Sequence, residues 1–221
     1  MKKFTTLTLI TIFFLSSGVF AQTAKLKLGI EAGAGITSLR GNPILEKYQK
    51  SDVGFSSALF LQYNLRKTFS IHTSIGFERI GTKSKNGFAV DSFGNPLGDA
   101  KTRTHYNYLS MPILLRASVG KKINFFVNAG PYIGILLNQT SITKIEGGQT
   151  VKDEHTKDFN TVNFGATSGL GVSIPINSKF DISFEARDNL GLSNINKVEG
   201  SNNAIIKTNS LSLLAGIAYK L

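Results

Sequence analysis

The residues able to act as nucleophiles, general bases or metal ligands are few and dispersed. The chain has no cysteine, so it offers neither a thiol nucleophile nor a disulfide. Its three histidines are His72, His105 and His155. Their spacings are far from the H-x₃₋₅-H pattern of a zinc-binding pair. None stands near a serine in a recognisable nucleophile motif, and no Ser/His/acid set is legible. His72 is expected as a hydrogen-bonded interior residue. His105 ends a long polar connection beside Tyr106, and His155 lies in the polar stretch KDEHTKD. The glycine-rich GIEAGAGI has the composition of a phosphate cradle, but no helix start follows it. No catalytic, cofactor-binding or metal-binding residue is therefore expected.

The charges are more informative. Lys25–Ile36 reads KLKLGIEAGAGI, with apolar residues at every even position and charged residues or glycine at most odd ones. That period of two marks a strand with one oily and one polar face. The alternation does not itself say which face is hidden. Seven further segments repeat it: Val53–Leu65, Phe69–Gly81, Tyr106–Val119, Ile123–Leu137, Phe159–Ile174, Phe180–Leu192 and Asn209–Leu221. On the polar parity, serine, asparagine and glycine predominate, which suits a crowded interior better than a wet surface. That parity also carries Lys27, Glu31, Glu78, Arg116, Asp181, Glu185, Arg187 and Lys220. Four are positive and four negative. An unpaired buried charge is very costly, so a balanced set implies ion pairs inside a narrow lumen. A soluble barrel with ordinary surface charges is the alternative.

The connections must position those strands, and their lengths alternate. Arg40–Asp52, Thr82–His105, Asn138–Asp158 and Ser193–Thr208 are long; Arg66–Thr68, Gly120–Lys122 and Pro175–Lys179 are short. An up-and-down meander with one short rim and one elaborated rim gives this pattern, as in barrels that span an outer membrane. The reading is an all-β, eight-stranded antiparallel transmembrane β-barrel with short periplasmic turns and four long extracellular loops. Its oily parity faces lipid. Asn42–Ser51 has room for a turn or two of helix. Pro112 and Pro131 fall mid-pattern, where a bulge or the end of regular pairing would accommodate them.

Other features agree. Residues 1–21 have a basic start, an apolar run and small residues before Gln22, the pattern of a cleaved secretory signal peptide, leaving 22–221 as the barrel domain. Tyr63, Phe69, Phe125, Phe180 and Tyr219 fall near the short-turn rim, where rings form an interfacial girdle. The net charge is +11, but the basic residues form no stripe, so nucleic acid is not an expected partner. Outer-membrane lipids are.

Three segments carry a resemblance: YLSMPILLR (Tyr108–Arg116), NAGPYIGILL (Asn128–Leu137) and FEARDNLGLSNIN (Phe184–Asn196). In order and spacing they resemble the PorT-like outer-membrane β-barrel family of Bacteroidetes, over essentially the whole length after residue 21. Ser110 stands where such proteins often carry an acidic residue. The C-terminal LLAGIAYKL is similar to the signal read by the barrel-assembly machinery, with Gly216, Tyr219 and Leu221 at its glycine and two hydrophobic positions. The resemblance implies a Gram-negative outer-membrane location and that machinery as a partner during biogenesis. It also implies, through the family's namesake, an accessory role in type IX protein secretion as a second reading. The first reading is a non-enzymatic cell-envelope protein that acts in structure or interaction through its external loops and meets other envelope or secretion proteins there. A lipid-modifying outer-membrane enzyme is the third. Phe60, Tyr132 and Leu136 point inward with the charges, so little conductance is expected.

Overall fold

The computed structural model describes residues 25–84, 87–90, 96–145, 148, 150–198 and 205–221. The expected signal peptide lies outside these residues. The chain is built almost entirely of strands: β1 (Leu26–Arg40), β2 (Gln49–Asn64), β3 (Phe69–Ser84), β4 (Gly87–Val90), β5 (Pro96–Val119), β6 (Asn124–Ile145), β7 (Thr150–Glu154), β8 (Val162–Pro175), β9 (Phe180–Gly191) and β10 (Lys207–Lys220). A short helix, α1 (Pro43–Tyr48), falls within the stretch expected to hold one. Among the described residues, no helix is long and apolar enough to cross a membrane.

Eight strands close a ring. Every neighbour is antiparallel, in the order β1, β2, β3, β5, β6, β8, β9, β10, and β10 pairs back onto β1. Closure leaves no free edge, which lipid requires because it cannot satisfy backbone N–H and C=O groups. The two remaining strands, β4 and β7, extend hairpins with β5 and β6 beyond one rim.

The faces sort by parity. Leu28, Ile30 and Ile36 on β1, Leu59 and Leu61 on β2, Ile71 and Ile75 on β3, and Leu211, Leu213 and Ile217 on β10 are all exposed on the outside. The oily face is therefore the outer one. Tyr63, Phe69, Phe125, Phe180 and Tyr219 are exposed at the short-turn rim, and the rings of Phe180 and Tyr219 meet edge-on at 5.3 Å. Turn chemistry keeps this rim tight. Gly120 takes a left-handed φ of 135° after β5. Between β8 and β9 the Asn177 side chain accepts the N–H groups of Lys179 and Phe180, both at 2.8 Å.

One expectation needs correction, and two others gain detail. Much of Thr82–His105 and Asn138–Asp158 is not loop: β3 runs to Ser84, β5 begins at Pro96 and β6 runs to Ile145. Threonine, serine and charged residues alternate there without a lipid-facing apolar set, so the strands continue beyond the oily pattern. Of the two placements expected for the prolines, a bulge or the end of regular pairing, the structure shows the second, within continuous strands. Pairing of β3 with β5 breaks between Thr73–Ile113 and Gly76–Ser110, and pairing of β5 with β6 breaks between Pro112–Tyr132 and Leu115–Ala129; both resume in the same register. The register shifts fall elsewhere, at Ser51/Phe55 and at Asn107/Tyr108. Missing proline donors thus interrupt the ladder locally, and Pro112 still accepts the Thr73 hydroxyl at 2.9 Å.

The third concerns Ser193–Thr208, read as a free external loop. Its Ile195 is fully buried over Leu39, Ile80, Tyr106, Tyr108 and Leu136, with Phe159 and Ile206 packed alongside. Ile195 also exchanges backbone bonds with Asn160 and Ile206, each at 2.8 Å. An apolar plug therefore closes the long-loop mouth. Ile195→Ala should lower unfolding stability by about 2 kcal/mol or more and speed proteolysis of the outer segments. Denaturant titration and limited proteolysis check this, and an unchanged midpoint would count against the plug.

Candidate functional site

Below the plug the lumen is polar, and its side chains come from strands far apart in sequence. Arg187 on β9 is the hub. It grips Glu31 of β1 with two nitrogens at 2.6 and 3.0 Å, and Glu185 through Nε at 2.7 Å and a second nitrogen at 3.0 Å. Glu185 also receives Arg116 of β5 at 3.2 Å and the Asn128 amide at 2.9 Å. Arg116 donates its other groups to Asn128 at 2.8 Å and Gln62 at 2.9 Å, and lies 3.9 Å over the Phe126 ring. His72 Nε2 stands 3.5 Å from Glu31. All these side chains are buried.

Two guanidinium groups meet two carboxylates, so the group is neutral. Every nitrogen of the two guanidinium groups has at least one acceptor, which lowers the desolvation cost of a buried ionic network, while the His72 ring nitrogens lack a hydrogen-bond partner. Small residues make the space. A Cβ on Gly169 would lie 2.6 Å from the Glu185 carboxylate, and one on Gly216 would sit 3.6 Å from the Glu31 Cβ.

The eight charges named from sequence fall into three places. Glu31, Arg116, Glu185 and Arg187 form the central network. Lys27, Asp181 and Lys220 form a trio towards the short-turn rim: Lys27 and Lys220 sit directly opposite each other on β1 and β10, and each reaches Asp181 at 2.7 Å. Glu78 stands apart from both, accepting the Asn189 amide at 2.9 Å. It is bonded to neither group but shares a cavity of about 30 Å³ with Glu31 and Arg187, whose wall is otherwise rich in serine. The expected single eight-charge set is thus split by depth along the barrel. Gln62, His72 and Asn128 share the inward parity, but pairwise partnership across the lumen depends on barrel diameter and stagger, which spacing does not disclose.

At the girdle rim, the lumen opens into a vestibule bordered by Lys25, Lys27, Arg66 and Lys67, with Arg116 among its lining residues. At the C-terminus, Tyr219 and Leu221 are exposed on the outside, while Gly216 faces inward beside Glu31. Among the described residues, no group of three or more His, Asp or Glu could hold a metal ion.

A family model described as the outer membrane protein beta-barrel domain matches residues 20–197. The chain belongs to that family. A search of curated proteins gave no match. Among solved structures, this outer-membrane barrel is similar to the Neisserial surface protein A (14% identity, 89% of this chain and 97% of that one, TM-score 0.49). It is also similar to the outer membrane protein OprG from Pseudomonas aeruginosa (13%, 88% and 95%, TM-score 0.45). A third is Ail, the attachment invasion locus protein of Yersinia pestis, in complex with the heparin analogue sucrose octasulfate (12%, 88% and 98%, TM-score 0.41). The barrel lies in a Gram-negative outer membrane.

A bulkier residue beside Glu185 should disturb the network without touching any charge. Gly169→Val is expected to destabilise the vesicle-inserted barrel by about 1–3 kcal/mol through overpacking. Urea titration checks it; an unaltered midpoint would mean that Glu185 is not held where described.

Proposed function

We propose that this protein is a closed, non-enzymatic outer-membrane barrel that acts in structure or interaction through its extracellular hairpins. One observation carries the reading: the lumen is obstructed at two depths, by the Glu31–Arg187–Glu185–Arg116 network in the middle and the Ile195 plug at the outer mouth. Such an interior leaves no wide aqueous path. An eight-stranded barrel has just enough interior for side chains to fill. The parts free to differ between such proteins are then the hairpins built on β5–β6, β4 and β7.

Export with removal of residues 1–21, the barrel domain from 22, and recognition of Gly216, Tyr219 and Leu221 by the assembly machinery belong to this proposal. So do the interfacial role of the five rim aromatics and the structural role of the lumen charges. The motifs YLSMPILLR, NAGPYIGILL and FEARDNLGLSNIN support the finer kinship with PorT-like barrels of Bacteroidetes, from which a secretion-accessory role would follow. Cross-linking and co-purification distinguish the two: secretion components recovered with the barrel favour the accessory role.

The refolded protein in a planar lipid bilayer should show no steady conductance. Sustained, reproducible channel openings would contradict the closed lumen.

A further inference from the structure

The outward face of the barrel carries a second charge arrangement, above the apolar band. On β3 the outward parity runs Ile75, Phe77, Arg79, Gly81, Lys83. Arg79 is thus the first outward side chain beyond the oily run, and it is exposed. The register then sets Lys50 of β2 opposite Lys83, Lys83 opposite Arg103 of β5, Arg103 opposite Ile142 of β6, and Ile142 opposite Lys152 of β7. One cross-strand row therefore presents four cations over five strands. At roughly 3.3 Å per residue and a tilt near 40°, the row stands about 10 Å outside Arg79.

Like charges opposite one another destabilise a sheet unless an anion lies between them. The inner rim shows the satisfied version, with Asp181 holding Lys27 and Lys220 at 2.7 Å each. The outer row is not balanced in that way. Its buried carboxylate, Asp52, stands 3.9 Å from Lys83 and 3.5 Å from Arg103. Asp52 reaches two of the four cations and Glu46 lines a pocket with Lys50 and Lys83, so the carboxylates beside the row stay fewer than its cations, and Arg79 adds a fifth cation below them. Arg79 Nε is committed to the neutral Asn107, at 2.9 Å. Nearby Glu46 receives the Gly41 N–H at 2.9 Å, and Glu154 accepts the Thr156 hydroxyl at 3.1 Å. The Lys83 and Arg103 side chains are 43% and 64% exposed, open to a partner from outside.

We propose that this face binds the anionic headgroup of a phosphorylated outer-leaflet glycolipid of the lipopolysaccharide type. Arg79 meets a phosphate at the hydrocarbon boundary, and Lys50, Lys83, Arg103 and Lys152 meet the anionic groups of the sugars beyond it. Phe55 and Phe77, on the same face below, lie against the acyl chains; both point outward from β2 and β3. The occupant is a lipid because the cations lie directly above an acyl-contacting surface, on the outside wall rather than at the mouth. Guanidinium and ammonium groups at such a boundary make charge-assisted bonds to phosphate.

Native mass spectrometry of the refolded full chain in neutral detergent tests this with three probes: Kdo-lipid A, the same lipid stripped of its phosphates, and inositol hexakisphosphate as a soluble polyanion. Two double variants are compared, Lys83→Gln/Arg103→Gln and Lys50→Gln/Lys152→Gln; the second leaves Asp52's partners intact. Lys121→Gln/Lys122→Gln at the opposite rim is the control, and heat-modifiable migration shows that each variant is folded. The site predicts binding of Kdo-lipid A, weakened about tenfold or more by either outer double variant and by phosphate removal, with the control unchanged. Equal binding by all folded variants would overturn it. So would binding of the soluble polyanion without binding of the lipid, which would mark an aqueous anion site instead.

Discussion

The ionic bond between Arg187 and its two carboxylates is the constraint on which the rest of this barrel depends. A guanidinium enclosed by protein within a membrane is tolerable only when its charge and its donors are met in place. Arg187 meets that demand by gripping Glu31 across the β1–β10 seam and Glu185 on its own strand. The bond thus joins β1, the first strand of the ring, to β9, the seventh, next to the closure of the ring. Arg116 extends it to the far wall through Glu185 and Asn128. Closure of the sheet, placement of small residues and the filled middle of the lumen then follow together. Gly169 is small because the Glu185 carboxylate occupies the space before it, and Gly216 because the Ser183 hydroxyl does.

Much of this was legible in the sequence, and the reason is geometric. A period of two survives barrel closure, so Leu28, Ile30 and Ile36 could be assigned to lipid, and Glu31 and Arg187 to the lumen, from parity alone. Neutrality of the interior was legible because parity separates the charges before their partners are known. Partnership was not. Whether Glu31 meets Arg116, Arg187 or Lys220 depends on strand stagger around the ring, a property of all eight registers at once. Glu78 was grouped with the other charges because it shares their parity, yet it lies at another depth and pairs with an amide.

Strand ends were the weakest reading. Polarity suggested loops at Thr82–His105, but hydrogen bonding continues past the membrane wherever two strands can still pair, and hydroxyl pairs such as Thr102–Thr143 hold the extension. Proline was read as a break and proves to be a local gap in an otherwise continuous ladder. Ile195 gave no signal because an apolar residue flanked by Asn194 and Asn196, with no alternation around it, has no period. Its burial arises from Tyr106, Tyr108 and Leu136, which only the closed fold brings beneath it.

The central claim is that the Arg187–Glu31 contact is an energetic tie across the barrel rather than a coincidence of proximity. A double-mutant cycle on Glu31→Gln and Arg187→Met, read by reversible unfolding in lipid vesicles, measures that tie directly. The account predicts that the two substitutions are strongly non-additive, with a coupling of about 1.5 kcal/mol or more. Additivity within about 0.3–0.5 kcal/mol would show that the two side chains do not depend on each other.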